Sequence, residues 1–412
     1  MKVLAKSRRF IGIKRGPLNG ASIVRSSLAS VALPLTITTI AFAQNPPTRT
    51  LARPQVEFNE PFTDIGSVRE LSDGRVIVVD ARELTVKLLD LRAGTATTVG
   101  RSGEGPGEYR WPSRLYPLPG DSTLLHDGAG GRLMIIQPDG KPGGFYDPNQ
   151  IETDSGVARL RRFNLRFSDG RRYLYGEAQP IKVGADGAME LADHSAIERL
   201  EIATKKRDTV AMWPVRKDAN ARLVAGVGVI TQPRMDAWPV WEHWVVSPTG
   251  RIAFVFPDPY RVDVVDAGGR VIQSRPIPYE RVRVDDALKK QHQDERTSLT
   301  MAMTVTREGA SRIEATRRPY RPPAEWPEFL PPYRGSGQFG PDGLLWISRM
   351  TAAGRPPLYD VIDGSGKLFE RVELPPRTKL VGFGAKSIYL VRFDQDDLQY
   401  LQRYALPTTA RP

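Results

Sequence analysis

Short runs of β-branched and aromatic residues alternate with Gly, Asp and Pro turns along most of the 412-residue chain. Because this unit recurs, it predicts a repeated β architecture before any single motif does. The six turns are Ser72-Asp73-Gly74, Pro119-Gly120-Asp121, Ser168-Asp169-Gly170, Pro248-Thr249-Gly250, Pro341-Asp342-Gly343 and Gly384-Ala385-Lys386. The strands that follow them include Val76 to Asp80, Thr123 to His126, Tyr173 to Tyr175, Ile252 to Phe256, Leu344 to Ile347 and Ile388 to Val391.

Each repeat is predicted to form four antiparallel strands. In the first repeat they are Ile65 to Leu71, Val76 to Val79, Val86 to Leu89 and Thr95 to Val99. Apolar residues occupy both faces of these strands, which is expected when a sheet is packed between two neighbours. We therefore predict an all-β fold, a six-bladed β-propeller of four-stranded antiparallel blades over residues 55–406. The last repeat lacks an outer strand, and Gln55 to Phe58 is expected to supply it and close the ring.

Two connections between repeats are enlarged, at about residues 213–242 and 279–334. Both join an outer strand to the next inner strand, as does the glycine loop from Gly100 to Pro112. In a propeller these connections emerge on one face, around the mouth of the channel, and loops commonly carry function. The larger insertion is predicted to contain a helix from an N-cap at Asp285 to about Val305, followed by an extended proline-rich arm. This segment could cap the channel, bind a partner or pack on the ring.

The N-terminal residues form a basic segment followed by an uncharged run from Leu28 to Phe42. The run ends in Ala41-Phe42-Ala43, so residues 1–43 are predicted to be a signal peptide cleaved after about Ala43. A membrane anchor is the alternative, but about 15 apolar residues are fewer than the roughly 20 that a spanning helix needs. We expect a periplasmic or extracellular protein with no membrane span after cleavage. Arg8-Arg9 leaves twin-arginine export open beside the general route. Residues 44–54 are interpreted as a linker and 407–412 as a tail.

Charge and cysteine content exclude several classes of function. Seven of the +12 formal charges lie in the leader, so the remainder carries about +5. Its basic residues alternate with acids, as in Arg261-Val262-Asp263, instead of forming the stripe that a nucleic-acid partner requires. The chain has no cysteine, which excludes disulfides, thiolate metal sites and a thiol nucleophile. Stability must therefore come from apolar burial.

A family resemblance is carried by the first repeat and by the C-terminal part. Those residues are Ile65-Gly66-Ser67-Val68, Asp73-Gly74-Arg75-Val76-Ile77-Val78-Val79-Asp80, and Val99-Gly100-Arg101-Ser102-Gly103-Glu104-Gly105-Pro106-Gly107-Glu108-Tyr109 with Pro112. They resemble one unit of the NHL-repeat propellers. Gly343-Leu344-Leu345-Trp346-Ile347 and Tyr359-Asp360-Val361-Ile362-Asp363-Gly364 are similar to uncharacterised secreted six-bladed propellers of bacteria. The resemblance implies a binding or scaffolding ring, although enzymes also occur on this fold.

Aromatic and basic residues concentrate on the outer-to-inner connections. The tryptophans there are Trp111, Trp213, Trp238, Trp241 and Trp326, and the arginines interleaved in the larger insertion include Arg281, Arg283, Arg317, Arg318, Arg321 and Arg334. Trp and Arg dominate interaction hot spots. We therefore predict a binding site formed by Arg101, Glu104, Glu108, Trp111, Trp238, Trp241, Arg321 and Trp326. The alternative is that the rings only seal the long loops onto the blades.

The glycine loop has two interpretations. Its four glycines between Gly100 and Gly107 could present backbone amides to a phosphate. However, the loop lacks the Gly-Lys-Ser or Gly-Lys-Thr ending of a P-loop and no helix follows it. The other interpretation is a tight crossing between blades, in which Tyr109 and Trp111 wedge into the core.

Titratable residues do not identify a reaction. The histidines His126, His194, His243 and His292 are scattered without metal-ligand spacing, and a Gly-x-Ser-x-Gly nucleophile elbow is absent. The acids expected near the channel mouth are Glu104, Glu108, Asp236 and Glu242. The favoured function is a non-enzymatic propeller that binds a protein, glycan or small ligand on the face with the outer-to-inner connections, without a cofactor. The alternative is a metal-dependent hydrolase or lactonase, with a divalent cation held by carboxylates in the channel.

Overall fold

Six small antiparallel sheets follow one another along the chain in a computed structural model of the protein. The structure describes residues 46–407, except 52, 129–130, 154–155, 160–162, 179–180, 184–188, 215–220, 225–227, 232–236, 267, 297–299, 306–310, 317–321 and 324. The predicted signal peptide and most of the C-terminal tail therefore lie outside the described residues. Among the residues described, no helix has the length and apolar character needed to span a membrane.

The sheets are the blades of a six-bladed propeller, as predicted, and we number them in chain order with strands given from the inner one outward. Blade 1 consists of Ile65–Glu70, Val76–Asp80, Thr85–Asp90 and Thr95–Thr98. Blade 2 consists of Pro112–Pro117, Thr123–Asp127, Arg132–Ile136 and Pro142–Tyr146. Blade 3 consists of Asn164–Ser168, Tyr173–Glu177, His194–Glu201 and Arg207–Pro214.

The remaining three blades follow the same order. Blade 4 consists of His243–Val246, Ile252–Pro257, Tyr260–Val265 and Val271–Ile272. Blade 5 consists of Gln338–Phe339, Leu345–Ser348, Leu358–Ile362 and Leu368–Glu373. Blade 6 consists of Thr378–Phe383, Ser387–Phe393, Gln399–Ala405 and Val56–Glu57. The outer strand of blade 6 thus comes from the start of the described chain, as predicted.

The N-terminal segment contacts two blades. Val56 pairs antiparallel with Arg403 of blade 6. Thr48–Thr50 adds a fifth strand to blade 5, in parallel register with Arg49 opposite Val372. Part of the stretch interpreted from sequence as a linker is therefore a strand, because it meets the free edge of an outer strand whose backbone groups need partners.

One apolar cluster lies between each pair of neighbouring blades within the described residues. The second strand of blade 1 shows why both of its faces are apolar. Ile77 and Val79 contact blade 2, whereas Val76 and Val78 contact blade 6. All four side chains are fully buried. Successive side chains of a strand point to opposite faces, so each blade is held between two neighbours and the ring is closed.

The connections sort onto two faces of the ring, because the strands of a blade alternate in direction. We call the face with the outer-to-inner connections the loop face; those connections span residues 58–64, 99–111, 147–163, 215–242, 273–337 and 374–377. The opposite face, which we call the turn face, carries the six Gly turns between inner and second strands. At the first of these, Gly74 has φ of +86°, a region that residues with a side chain rarely adopt.

Smaller elements decorate these connections. The hairpins are Gln150–Thr153 with Gly156–Arg159, Ile181–Val183 with Met189–Leu191, Ala221–Val224 with Gly228–Thr231, and Thr300–Val305 with Ser311–Thr316. In the glycine loop Arg101–Ser102 pairs with Glu108–Tyr109, and a 3₁₀ turn covers Pro119–Asp121. The helix α1 spans Asp286–Arg296. It is therefore shorter than predicted, because residues 300–305 pair as a strand instead of extending it.

Candidate functional site on the loop face

The two enlarged connections meet on the loop face. The rings of Trp238 and Trp326, one from each connection, have centroids 5.5 Å apart. The hydroxyl of Tyr333 donates a hydrogen bond of 2.9 Å to the backbone carbonyl of Trp241. These contacts place the predicted residues Trp238, Trp241 and Trp326 in one region, between blades 4 and 5.

Trp238 and Trp326 pack on helix α1. The helix begins at an N-cap, where the Asp285 carboxylate accepts a hydrogen bond of 2.8 Å from the amide of Leu288. His292 on the helix is buried, and its ring lies 5.0 Å from that of Trp238 and 5.5 Å from that of Trp326. Beneath them Leu288, Leu330 and Met350 form a small apolar cluster. Both indoles are half-buried, so much of their surface seals the insertion onto the ring.

Trp241 differs, because 38% of its surface is exposed. Its backbone is held from two sides, by Tyr333 and by a 3.3 Å contact with Nδ1 of His243. Nε2 of His243 accepts the amide of Gly337 at 3.1 Å, and burial lowers the pKa of His243. The imidazole is therefore neutral with its proton on Nδ1, which donates to the Trp241 carbonyl. The result is an accessible indole on a fixed backbone.

Two arginines of the larger connection lie on the ring of Phe329. The guanidinium of Arg281 lies 3.9 Å from the Phe329 centroid, and that of Arg283 lies 5.7 Å from it. Arg283 also pairs with Glu328 at 2.7 Å. Arg281 is exposed and forms no ion pair with any residue that the structure describes. The predicted Arg321 lies outside the described residues, as do Arg317 and Arg318.

The glycine loop uses its polar groups internally. Glu108 accepts a hydrogen bond of 2.8 Å from the amide of Gly105 and one of 2.6 Å from Nε of Arg101. Those two donors, the amide first, hold the pKa of Glu108 below its ordinary value. A side chain at Gly103, where φ is +153°, would lie 2.0 Å from the Glu108 carboxylate. Tyr109 is buried in the cluster between blades 1 and 2. The geometry supports a tight crossing more than a phosphate cradle.

The acids near this loop are also paired. Glu104 forms an ion pair of 2.7 Å with Arg110. Asp127 accepts the amide of Trp111 at 2.8 Å and the guanidinium of Arg132 at 2.9 Å. Burial alone would raise the pKa of Asp127, but these hydrogen bonds outweigh it and lower the pKa. Trp111 itself is half-buried.

These acids form hydrogen bonds or ion pairs with neighbouring residues of the blades and loops. Asp80 in blade 1 occupies the same strand end as Asp127 and accepts the amide of Thr63 at 2.7 Å. Glu242 has partners of its own, and Asp236 lies outside the described residues. Over the described part of the chain, no three His, Asp or Glu side chains group closely enough to hold a metal ion.

The structure shows two polar arrangements that the sequence analysis did not predict. Asp360 is fully buried and accepts hydrogen bonds from Tyr260, Arg349 and Arg371 at 3.0, 3.0 and 3.1 Å. Arg349 also donates to the carbonyl of Pro332 at 2.6 Å, so this network ties the larger insertion to blades 4 and 5. The charged residue inside the apolar run Leu358–Ile362 was its only sequence signal.

The second arrangement is a contact between Ser113 and His126 at the loop-face end of blade 2. The hydroxyl oxygen of Ser113 lies 2.9 Å from Nδ1 of His126 and 3.0 Å from the carbonyl oxygen of the same residue. Burial, and then the charge of Arg114, lower the pKa of His126, so the imidazole is neutral. Serine next to a neutral histidine is the start of a nucleophile and base pair. Here the backbone carbonyl of His126 competes with Nδ1 of its own ring for the single proton of the Ser113 hydroxyl.

Comparison with known proteins shows remote likeness only. No protein-family model and no curated protein matches the chain. Regucalcin from Agrobacterium tumefaciens, a calcium-binding protein, is 14% identical, with a TM-score of 0.39 over 89% of this chain and 98% of that one. Virginiamycin B lyase from Staphylococcus aureus is 12% identical, with a TM-score of 0.39 over 85% and 98%. A luciferin-regenerating enzyme is 14% identical, with a TM-score of 0.39 over 86% and 95%. At these values the likenesses carry no information on activity.

Proposed function

We propose that the protein is a non-enzymatic binding propeller that captures a carboxylate-bearing glycan or protein on its loop face. The observation that carries this proposal is that two anchors lie on connections of the loop face, the indole of Trp241 and the guanidinium of Arg281 on the ring of Phe329. The first is an exposed indole on a fixed backbone, and the second is an exposed arginine that has no described ion-pair partner. Arginine presents a planar fork that matches a carboxylate, and the indole supplies rigid contact area for a sugar ring or an apolar side chain.

Contacts hold each of the two anchors in place, which supports binding without rearrangement. Tyr333 and His243 hold the Trp241 backbone, and Phe329 supports both arginines. A preordered surface loses less conformational entropy on binding than a mobile one. The loop-face acids Glu104 and Glu108 are engaged by Arg110 and Arg101, so they oppose an anionic partner less than free carboxylates would.

The experiment compares two variants with matched controls. Trp241→Ala and Arg281→Gln are tested on an array of neutral and uronic-acid glycans and against acidic protein partners. Met212→Ala, which removes another exposed apolar side chain, and Arg171→Gln, which removes a turn-face charge, are the controls. We expect the two test variants to weaken binding by about tenfold, with melting temperatures close to wild type. Equal losses in the controls, or a collapse of the fold in both test variants, would argue that the rings only pack the loops.

The hydrolase alternative is tested by the same preparations. A panel of lactones and esters is assayed with and without chelator, together with elemental analysis of the protein. Stoichiometric metal with chelator-sensitive turnover would replace the binding proposal, whereas bound calcium without turnover would not.

We also propose that the protein acts in the periplasm or outside the cell. The basic leader and its Ala41-Phe42-Ala43 ending support this location. N-terminal sequencing of protein from the periplasmic fraction should begin at Gln44, and recovery of intact Met1 in the cytoplasm would contradict the proposal.

A further inference from the structure

An open groove of about 460 Å³ lies on the turn face, at the seam where blade 6 meets blade 1. Blade 1 contributes Glu70 and Arg92, and blade 6 contributes Lys386 and Arg403. Gln55, next to the closing strand, completes the wall. The volume falls in the range of small-molecule sites, roughly 300–1,000 Å³. This groove is on the opposite face of the ring from the proposed binding surface.

The groove is strongly basic for its size. Arg92, Lys386 and Arg403 are its cations, and none of the three forms an ion pair with a residue that the structure describes. Arg69 on the same face shows the other arrangement, because its guanidinium pairs with Asp121. Three cations and one carboxylate around one cavity create a net positive local potential that attracts anions.

The one acid in the groove is already engaged. The carboxylate of Glu70 accepts hydrogen bonds from the amide of Ala385, at 3.1 Å, and from the hydroxyl of Tyr389. Both donors are neutral and belong to blade 6, so Glu70 joins the two sides of the seam while its charge offsets part of the positive potential of the groove. Nε of Arg403 is buried and makes no hydrogen bond, which leaves a donor at the seam without an acceptor.

We propose that this groove binds a small multivalent anion, of the phosphomonoester or polycarboxylate class. A dianion or trianion would meet Arg92, Lys386 and Arg403 together, whereas a monoanion would satisfy one of them. The forked guanidinium groups suit both phosphate and carboxylate oxygens. The amide of Gln55 adds a neutral donor for a hydroxyl or carbonyl of the ligand.

The test measures binding by isothermal titration calorimetry on the full chain at constant ionic strength. The probes are inorganic phosphate, glycerol phosphate, citrate and acetate, so that the first two arms report phosphate chemistry, the third reports polycarboxylate and the last is the monoanion control. Arg92→Gln with Lys386→Gln is the test variant. Arg171→Gln with Lys367→Gln removes two exposed turn-face charges away from the groove and is the matched control.

We expect saturable binding of citrate or of a phosphate probe, with acetate at least about tenfold weaker. The test variant should lose at least about tenfold in affinity, and the control should stay within about twofold of wild type. Glu70→Gln, which removes the negative charge from the described lining of the groove, should bind more tightly than wild type. The proposal is overturned if no probe saturates, if the test variant and control lose affinity equally, or if Glu70→Gln binds more weakly. These outcomes do not depend on Trp241 or Arg281, so they leave the loop-face proposal to its own test.

Discussion

The phenol of Tyr333 donates a hydrogen bond of 2.9 Å to the backbone carbonyl of Trp241, 92 residues earlier in the chain. Tyr333 is 1% exposed, and its ring packs against those of His243 and Tyr260. The exposed indole of Trp241 therefore takes its position from a buried tyrosine on the other enlarged connection.

Tyr333→Phe removes the hydroxyl while keeping the ring. Because the Trp241 carbonyl then loses a donor in a largely buried setting, we expect the free energy of unfolding to fall by about 1 kcal/mol. Urea denaturation measures the change. Tyr400→Phe is the control, since the Tyr400 hydroxyl makes no hydrogen bond within the described structure. If both variants were equally stable, the hydroxyl contact would contribute nothing to fixing the two connections.

Asp360→Asn tests the buried network between blades 4 and 5. The carboxylate balances Arg349 and Arg371, so its neutralisation leaves two cations without their counter-charge. Breaking a buried pair by removing one partner costs about 3–5 kcal/mol, and we expect a loss of that order in the free energy of unfolding. Asp396→Asn, at an exposed site with no partner for its carboxylate among the described residues, should change stability little. If Asp360→Asn lowered the free energy of unfolding no more than Asp396→Asn does, the buried network would not contribute to stability.

Glu57 and Arg392 test the strand that closes the ring. The carboxylate meets Nε and Nη2 of Arg392 at 2.7 and 2.8 Å. Both side chains are about one-third exposed, so solvent screening limits their coupling in a Glu57→Gln, Arg392→Gln double-mutant cycle to roughly 0.5–1 kcal/mol at pH 7.

The same pair should respond to acid. The hydrogen bond from Arg392 lowers the pKa of Glu57 from its ordinary value of 4.5. The folded protein therefore holds this proton less tightly than the unfolded chain, and the stabilisation is present above about pH 4.5 and disappears as the pH falls through the lowered pKa. A coupling energy that stayed constant between pH 7 and pH 3 would contradict this assignment.

Much of the ring could be predicted from the sequence because the signals for its strands and turns lie within short segments of the chain. Val76–Asp80 forms a strand with the predicted bounds and Ile252–Pro257 differs from its prediction by one residue, since the Gly turn before each strand and the apolar run itself locate them. The end of helix α1 was placed wrongly, at about Val305 instead of Arg296. Helical spacing continued into Thr300–Val305, and the pairing of that run with Ser311–Thr316 is not encoded in the spacing.

The candidate site was less predictable because its contacts are distant in sequence. Trp238 and Trp326 were correctly assigned to connections, but their shared contact with His292 depends on how two long loops pack. Trp213 was assigned to a loop, yet it is buried in the outer strand of blade 3, 4.8 Å from Phe254. The network around Asp360 joins three separate segments, and spacing within one segment does not reveal it.

The pairing of the strands Thr48–Thr50 and Val56–Glu57 affects the order in which the chain can fold. During synthesis these residues leave the ribosome more than three hundred positions before their partners in blades 5 and 6. Such distant pairing makes closure late and slow. A nascent or truncated polypeptide would expose the unpaired margins of the final two sheets, which are templates for aggregation. These two strands therefore stay unpaired until blades 5 and 6 have been synthesised.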